Sequence, residues 1–283
     1  MSRSTTQASE PTICWDAQLQ LSYLKAGEQG PAVVLLHGLG AFKELWWSTL
    51  LALAPHYRAF APDLPGHGES PLAHKGQMAG MAGMIAEFCA AQGLERIALV
   101  GHSMGGNVAL ELALLRPELV ERLVLVDAAA NAPGLVPLSV NPLLGITYSW
   151  PALRIGQHIR RLMQPLGQGI GHMHGGGWVR PLLRRQAFAA SLDPAGQYAL
   201  LQGLFANPLL ERVADLRVPT LVMTGQFDTL IPLAHTRRLA KAIPGARLAI
   251  VYGAIHNPMD ERPRAFARIL LGFLGEAQPS AAL

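Results

Sequence analysis

The chain has 283 residues, of which half are hydrophobic and 15% are charged. This balance argues against a disordered chain and favours one large α/β domain with a buried sheet. Two cysteines, Cys14 and Cys89, are too few for a disulfide framework, and the polar residues 1–11 lack the apolar core of a secretory signal. We therefore expect a reduced, cytoplasmic protein in which both cysteines are small buried hydrophobes.

The net charge of +4 is unevenly spread. Residues 128–192 contain six arginines and no Asp or Glu, which fits either an anionic substrate or a solvated basic face. No basic patch is interleaved with aromatic residues, so nucleic-acid binding is not predicted. The uncharged stretch 128–153 contains four prolines and therefore predicts an apolar lid or pocket wall rather than a transmembrane segment.

The first part of the chain alternates short apolar runs with helical patterns. The strand at 32–36 is continuously apolar, as in a buried parallel sheet. The predicted elements are a hairpin at 12–15 and 19–26, strands at 32–36, 57–61 and 97–100, and helices at 46–54 and 77–92.

A serine lies between glycines where the strand 97–100 gives way to a helix. The segment Gly101-His102-Ser103-Met104-Gly105-Gly106 predicts a sharp turn that presents the Ser103 hydroxyl, in the manner of a nucleophile elbow. The helix that begins near Met104 would direct free backbone N–H groups at an anion beside the serine.

The alternation of predicted strands and helices stops after a strand at 122–127 and resumes with a strand at 218–224. Between them, short helical pieces at 153–163, 179–190 and 197–205 predict an inserted cap. The chain then continues with a helix at 233–243, a strand at 246–252 and a helix at 263–274. We predict a doubly wound, mostly parallel α/β sheet. Residues 1–130 and 213–283 would form its core, and 131–212 would form the cap above the carboxyl ends of the strands.

A serine nucleophile needs a histidine base, and the base needs an orienting carboxylate. Asp228 follows the strand at 218–224, and His256 follows the strand at 246–252. Both residues should therefore lie at the same sheet edge as Ser103. Asp127 lies at the end of the preceding strand, 122–127.

The chain resembles the α/β-hydrolase superfamily, and more narrowly its cap-bearing serine esterase and carbon–carbon hydrolase branch. The resemblance covers about 19–275 and rests on five landmarks in order: His37-Gly38-Leu39-Gly40, Asp63-Leu64-Pro65-Gly66-His67-Gly68-Glu69-Ser70, the Ser103 turn, Gly225-Gln226-Phe227-Asp228 and His256. It implies that Ser103 is the nucleophile, His256 the general base and Asp228 its orienter. The backbone N–H groups of Leu39 and Met104 would form the oxyanion hole. The chain differs in having Ile255 where members often have glycine before the histidine. Members also sometimes take their acid from the end of the preceding strand, which makes Asp127 the alternative to Asp228.

Other polar and aromatic residues near these landmarks have simpler roles. Asp63 and His67 should brace a turn, whereas His102, Phe42 and Trp46 are candidates for the substrate pocket. The pair His172 and His174 precedes three glycines without a neighbouring carboxylate, so it predicts a cap loop rather than a metal site. No cofactor motif is present, and neither a cofactor nor a metal is expected.

The expected function is that of a carboxylesterase-type serine hydrolase (EC 3.1.1), which cleaves esters of apolar acyl groups through an acyl-enzyme. Three alternatives remain open at this point: carbon–carbon bond hydrolysis of dienoate ring-cleavage products, cofactor-free perhydrolysis, and ligand binding without catalysis. The sequence does not distinguish the oligomeric state.

Overall fold

Parallel strands joined by helices form the framework of the protein. The computed structural model describes residues 10–72, 76–130, 158 and 194–276. The strands are β1 (Thr12–Asp16), β2 (Leu21–Ala26), β3 (Ala32–Leu36), β4 (Arg58–Pro62), β5 (Ile97–His102), β6 (Val120–Val126), β7 (Thr220–Gly225) and β8 (Arg247–Val251). The helices are α1 (Trp47–Leu53), α2 (Met78–Ala91), α3 (Met104–Leu115), α4 (Pro194–Phe205), α5 (Leu233–Ala242), α6 (Pro258–Glu261) and α7 (Pro263–Leu274), with 3-10 turns at Lys43–Trp46 and Val213–Asp215.

Within the described ranges, eight strands form one sheet in the order β1-β2-β4-β3-β5-β6-β7-β8. The pairs β1–β2 and β2–β4 are antiparallel, and every other pair is parallel. All residues of β3 and β5 are buried, because helices cover both faces of the sheet at its centre. The predicted doubly wound, mostly parallel sheet is therefore confirmed.

The hydrophobic core is divided by the sheet into two clusters. One contains side chains of α2 and α3, including Met81, Phe88 and Val108. The other contains side chains of α1 and α7, including Leu50 and Phe266. Burial at both faces explains the apolar composition of the central strands.

The two cysteines differ in their exposure, contrary to the expectation that both are buried. Cys89 is fully buried on α2, but Cys14 is only partly buried. The reason is that Cys14 lies on β1, which is an edge strand and leaves Trp15 half exposed.

The strand register brings the carboxyl ends of five parallel strands to one edge. Leu36 pairs with Gly101, His102 with Val126, and Gly225 with Val251. The loops after β3, β5, β6, β7 and β8 are consequently neighbours. This is the edge at which ligands bind in open α/β sheets.

The core leads into the predicted cap after β6 and resumes close to the same point. The N–H of Leu209 donates to the carbonyl of Ala130 at 2.8 Å, and the Asn107 amide nitrogen on α3 donates to the carbonyls of Ala129 and Asn207 at 3.0 and 3.2 Å. Of the helical pieces expected between these points, 179–190 lies outside the described residues, as does 153–163 apart from the helical His158.

The helix expected at 197–205 is present as α4, which begins at Pro194. Leu200 and Leu204 of α4 pack into the core, and the amide of Gln197 donates to the carbonyl of Gly66 at 3.4 Å. The cap as a unit at 131–212 stays a prediction. In the part of the chain that the structure describes, no helix has the length and apolar character needed to cross a membrane.

Candidate active site

Ser103 occupies a strained turn between β5 and α3. Its backbone has φ 52° and ψ −116°, and its N–H donates to the carbonyl of Val126 at 2.9 Å. Holding a non-glycine residue in such a region costs about 1–3 kcal/mol, so the surrounding structure must enforce it. Gly105 shows how tight that structure is, because a Cβ there would lie 2.4 Å from the carbonyl oxygen of His37. The strand, turn and helix predicted around Ser103 are all present.

Two unengaged N–H groups lie in the segments beside the serine. Met104 begins α3, and Leu39 follows Gly38 in the turn after β3. A Cβ built on Gly38 would be 3.0 Å from Cβ of Ser103, so this turn packs directly against the serine. Among the described residues, neither the Leu39 nor the Met104 N–H donates a hydrogen bond. They are available to an anion, and the α3 N-terminus favours negative charge.

Two buried histidines form hydrogen bonds with the turn that carries Leu39, one on each side of that residue. Nε2 of His37 accepts the N–H of Leu64 at 2.9 Å, so its Nδ1–H donates to the carbonyl of Gly38 at 2.9 Å. Burial, opposed by that bond to Gly38, lowers the pKa of His37 to about 4. The ring is therefore neutral and held in one tautomer.

His67 fastens the other end of the same turn. Its Nε2 accepts the N–H of Gly40 at 3.1 Å, and its Nδ1 donates to the carbonyl of Pro65 at 3.2 Å. Burial and the neighbouring His37 lower the pKa of His67 to about 3. Asp63 holds the start of this loop by accepting the Lys43 N–H at 2.8 Å. Both Asp63 and His67 thus brace turns, in agreement with the sequence interpretation.

His256 and Asp228 meet across the loops that follow β8 and β7. Nδ1 of His256 lies 2.7 Å from Oδ2 of Asp228, whose side chain is fully buried. The other oxygen of Asp228 accepts the N–H groups of Leu230 and Ile231 at 2.7 and 2.9 Å. Burial acts to raise the pKa of Asp228, but the hydrogen bond and charge of His256 outweigh it, and the pKa is lowered. An ionised Asp228 therefore fixes the proton on Nδ1 and leaves Nε2 as an acceptor.

Asp127, the alternative acid, does not contact the His256 ring through a hydrogen bond. Its Oδ1 accepts Thr224 Oγ1 at 2.7 Å and the Gly225 N–H at 3.1 Å. The carboxyl is fully buried, and burial together with the charge of Asp228 raises its pKa well above the ordinary value. Of these two acids, Asp228 is the one that is hydrogen-bonded to the ring of His256.

His102 lies beneath the histidine loop. Its Nε2 donates to the backbone carbonyl of His256 at 2.8 Å, and the two ring centroids are 4.8 Å apart. Burial and the neighbouring His256 lower the pKa of His102 to about 3. The sequence offered His102 as a pocket residue, and no sequence signal pointed to this bond with the His256 backbone.

The histidine loop accommodates Ile255 without distortion. Among the described non-glycine residues only Gln20, Ser103 and Asp127 have positive φ, so position 255 does not need the freedom of glycine. The N–H of Ile255 instead donates to the Glu261 carboxylate. The loop instead packs closely against Gly225, where an added Cβ would lie 1.7 Å from the Ile255 carbonyl oxygen.

The two aromatic pocket candidates, Phe42 and Trp46, are both buried. Trp46 is fully buried in the core cluster of α1 and α7, with its ring 6.2 Å from that of Phe266. Phe42 is 2% exposed. The structure thus places Trp46 in the hydrophobic core, and its burial there accounts for an aromatic residue at that position.

Three side chains at this edge could also be considered as metal ligands. His102, Asp127 and His256 each have one potential ligand atom within 4.8 Å of the others. However, Nδ1 of His256 and Nε2 of His102 are already hydrogen-bonded within the protein. These two nitrogens are therefore not available to a metal ion, and the bond from His256 to Asp228 suits proton transfer through the histidine. His172 and His174 lie outside the described residues.

Comparison with known proteins decides the family. The model of the α/β hydrolase fold matches residues 31–263. The chain belongs to the α/β-hydrolase fold family. A pimeloyl-(acyl-carrier protein) methyl ester esterase of Aeromonas hydrophila is 32% identical over 260 residues, which cover 87% of this chain and 96% of that protein.

Solved structures of the same fold superimpose on most of the chain. An enol-lactonase from Burkholderia xenovorans has a TM-score of 0.76 at 24% identity, over 94% of this chain and 100% of that one. An esterase from a Rhodococcus species has a TM-score of 0.72 at 24% identity, over 95% and 99%. At this identity these likenesses support the fold and leave the substrate open.

Proposed function

We propose that this α/β hydrolase is a serine ester hydrolase in which Ser103 is the nucleophile, His256 the general base and Asp228 its orienter. The observation that carries the proposal is the 2.7 Å bond between His256 Nδ1 and Asp228 Oδ2. This bond leaves Nε2 unprotonated at the sheet edge where the strained turn presents Ser103.

The reaction follows from these positions. Ser103 Oγ attacks the acyl carbonyl while its proton passes to Nε2 of His256, and the oxyanion accepts the N–H groups of Leu39 and Met104. The C–O bond of the ester then breaks, and the alcohol leaves with the proton from Nε2. Water repeats the sequence on the acyl-enzyme, giving its proton to Nε2, and the carboxylic acid departs as Ser103 regains a hydrogen. Each oxyanion donor contributes roughly 3–4 kcal/mol in well-studied enzymes.

The proposed substrates are carboxylic esters with apolar acyl groups. The Aeromonas relative, which is 32% identical, is a methyl ester esterase, and this likeness supports ester cleavage. The proline-rich, uncharged stretch at 128–153 supports an apolar acyl site, because we expect such a segment to form an apolar lid or pocket wall.

A second candidate is carbon–carbon bond hydrolysis of dienoate ring-cleavage products by the same residues. The observation that favours it is the set of six arginines in 128–192, without acidic residues, which would suit a substrate carboxylate. A panel containing p-nitrophenyl esters of increasing acyl length and a yellow dienol substrate separates the two. Faster turnover of the dienol would replace the ester proposal.

A fluorophosphonate probe and p-nitrophenyl butyrate test the nucleophile directly. We expect wild type to be labelled at Ser103 and to hydrolyse the ester, and Ser103→Ala to lose both. Ser48→Ala, at an exposed serine on α1, is the matched control and should behave as wild type. Equal ester turnover by wild type and Ser103→Ala would contradict the assignment, and an unlabelled wild type would favour a ligand-binding protein.

A further inference from the structure

The backbone of Ser103 is held by the segment that leaves the sheet after β6. Its N–H donates to the carbonyl of Val126 at 2.9 Å, and its carbonyl accepts the N–H of Ala129 at 3.0 Å. Between these two bonds the segment packs tightly against α3, because a Cβ built on Gly106 would lie 2.5 Å from Cβ of Ala128. A non-glycine residue with φ 52° persists only where the surrounding structure enforces it. This segment therefore supplies part of the support that the strained turn needs.

Asn107, in the first turn of α3, fixes Ala129 in its place. The Asn107 side chain is fully buried, and its amide nitrogen donates to the carbonyl of Ala129 at 3.0 Å and to that of Asn207 at 3.2 Å. An amide nitrogen carries two hydrogens, so each carbonyl can receive its own. Ala129 is thus bonded to Asn107 through its carbonyl and to Ser103 through its N–H. The buried amide reaches the backbone of the proposed nucleophile through this one residue.

Asn207 determines the orientation of the Asn107 amide. Nδ2 of Asn207 donates to Oδ1 of Asn107 at 2.8 Å, so both the donor and the acceptor of the buried amide are bonded. A flipped Asn107 amide would place its oxygen against two carbonyl oxygens and its NH₂ group against another, and all three bonds would be lost. Because unpaired polar groups in a protein interior are costly, the fully bonded amide has a single stable orientation.

A second connection joins α3 to the returning chain at a distance from the nucleophile. Glu111 lies one turn after Asn107 and is 2% exposed. Its carboxylate accepts two hydrogen bonds from the half-exposed guanidinium of Arg212, at 2.6 and 3.2 Å. This ion pair stabilises the same junction as Asn107, but its bonds do not include Ala129 or Ser103. It therefore offers a comparison in which the junction is weakened and the support of the nucleophile is kept.

We propose that Asn107 is a positioning residue for the nucleophile. Its amide holds Ala129, and Ala129 holds the backbone of Ser103 in the strained turn. Asn207 contributes to the same chain of bonds by fixing the Asn107 amide. The inference rests on the proposed function, in which Ser103 attacks the substrate. Because Asn107 is buried and supports the serine, its loss acts on the chemical step and lowers kcat more than it changes KM.

Replacement of Asn107 by leucine tests the proposal. Asn107→Leu keeps nearly the same shape and removes both donors, so the carbonyl of Ala129 loses its partner. We expect kcat for p-nitrophenyl butyrate and the second-order rate constant of fluorophosphonate labelling both to fall at least about tenfold, since small displacements of a reacting group are costly. KM should stay within about twofold of the wild-type value.

Arg212→Met is the matched comparison for a loss of stability. It breaks the pair with Glu111 and leaves a buried carboxylate without its cation, so the urea midpoint should fall. Measured where the variant is folded, its kcat and its labelling rate should match those of wild type. A merely structural role for Asn107 would instead lower the activity of both variants in proportion to their loss of stability.

Asn207→Ala gives a second route to the same bonds, at a residue that is only partly buried. It removes the donor that fixes the Asn107 amide and should slow labelling about threefold or more. In the Asn107→Leu background the same substitution should have little further effect, because residues that act in one chain of bonds are not additive. If Asn107→Leu does not fold, Asn207→Ala and Arg212→Met still decide.

The outcomes separate this inference from the proposed function. A wild-type labelling rate in folded Asn107→Leu would overturn it, as would a loss of kcat in Arg212→Met as large as that in Asn107→Leu. An unchanged rate in Asn207→Ala, or additive effects in the double variant, would overturn it as well, because Asn207 would then not act through Asn107. In each of these cases labelling of Ser103 in wild type leaves the proposed function standing. An unlabelled wild type would instead remove the proposed function itself.

Discussion

The ring of His102 donates a hydrogen bond to the backbone carbonyl of His256, with a distance of 2.8 Å between Nε2 and the oxygen. His102 precedes the proposed nucleophile, and it thereby supports His256, the residue proposed as the base, although the two histidines are 154 positions apart in the sequence. A shift of β5 relative to the loop after β8 would break this bond, so the two halves of the site are linked mechanically.

Replacing His102 should therefore slow the reaction without abolishing it. His102→Ala removes the donor and leaves a buried carbonyl unpaired, which costs roughly 1–3 kcal/mol. We expect kcat for p-nitrophenyl butyrate to fall about tenfold to a hundredfold. The exposed His56→Ala is the matched control and should retain wild-type kinetics. Unchanged kcat in a folded His102→Ala would show that the bond does not hold the loop.

Buried neutral histidines should make the protein less stable in acid. The pKa of His67 is about 3 in the folded state and about 6.5 in an unfolded chain. Between these values the unfolded state binds more protons, so the free energy of unfolding falls as pH decreases from about 6.5 toward 3. One such histidine contributes a loss on the order of 2 kcal/mol between pH 7.5 and 5.

The contribution of His67 can be isolated by comparing how the free energy of unfolding changes with pH in wild type and in a variant without this histidine. Asp127 acts in the opposite sense, because its raised pKa makes the folded state take up a proton. The test is therefore to measure urea unfolding of wild type and of His67→Gln at pH values of about 7.5 and 5. Wild type should lose about 2 kcal/mol more than the variant on acidification. Equal losses in the two proteins would mean that His67 is not held neutral by its burial.

A methyl group at Gly225 should displace the histidine loop. The added Cβ would lie 1.7 Å from the Ile255 carbonyl oxygen, so that loop must move. We expect Gly225→Ala to lower kcat at least about tenfold, since small misplacements of a catalytic group are costly. The control is Gly272→Ala on α7, where an added Cβ meets nothing within 4 Å. That variant should keep its activity and gain about 0.5–1 kcal/mol in unfolding free energy. Wild-type kcat in Gly225→Ala would contradict the expected displacement.

Lys43 should be important for stability because its ammonium group is fully buried. It is hydrogen-bonded to Asp63 and lies 3.5 Å from Glu69 and 3.7 Å from Glu44. Lys43→Met leaves these carboxylates without their cation, and such changes cost about 3–5 kcal/mol. Lys25→Met breaks an exposed pair with Glu28 and should cost at most about 1 kcal/mol. Similar urea midpoints for the two variants would contradict this difference.

The sequence predicts the elements of the core well where apolar runs are continuous. The runs at 32–36 and 97–100 can be buried only in a sheet covered on both faces, and the structure shows them there as β3 and β5. The order of Ser103, Asp228 and His256 is also readable, because each follows a strand whose carboxyl end lies at the same edge. Periodicity and strand polarity thus determine which residues can meet.

The side-chain contacts within the site cannot be predicted from periodicity and strand polarity. Asp127 and Asp228 both follow strands at the same edge, and only the three-dimensional structure shows that Asp228 faces Nδ1 of His256 while Asp127 accepts a hydrogen bond from Thr224. Lys43 and Glu44 form an adjacent charged pair that would ordinarily lie on the surface, but both are buried. Their burial depends on partners distant in sequence, which local patterns do not encode.

The hydrogen bond between Leu209 and Ala130 has a consequence for how this scaffold diversifies. The chain departs from the core and rejoins it at adjacent points, so the length of the intervening segment hardly affects the geometry of the strands beneath. The entropy of closing such a loop grows only with the logarithm of its length. We therefore predict that residues 131–193 can be exchanged as a cassette if α4, whose Leu200 and Leu204 pack into the core, is kept; selectivity could then evolve, or be engineered, without a change in the reaction chemistry.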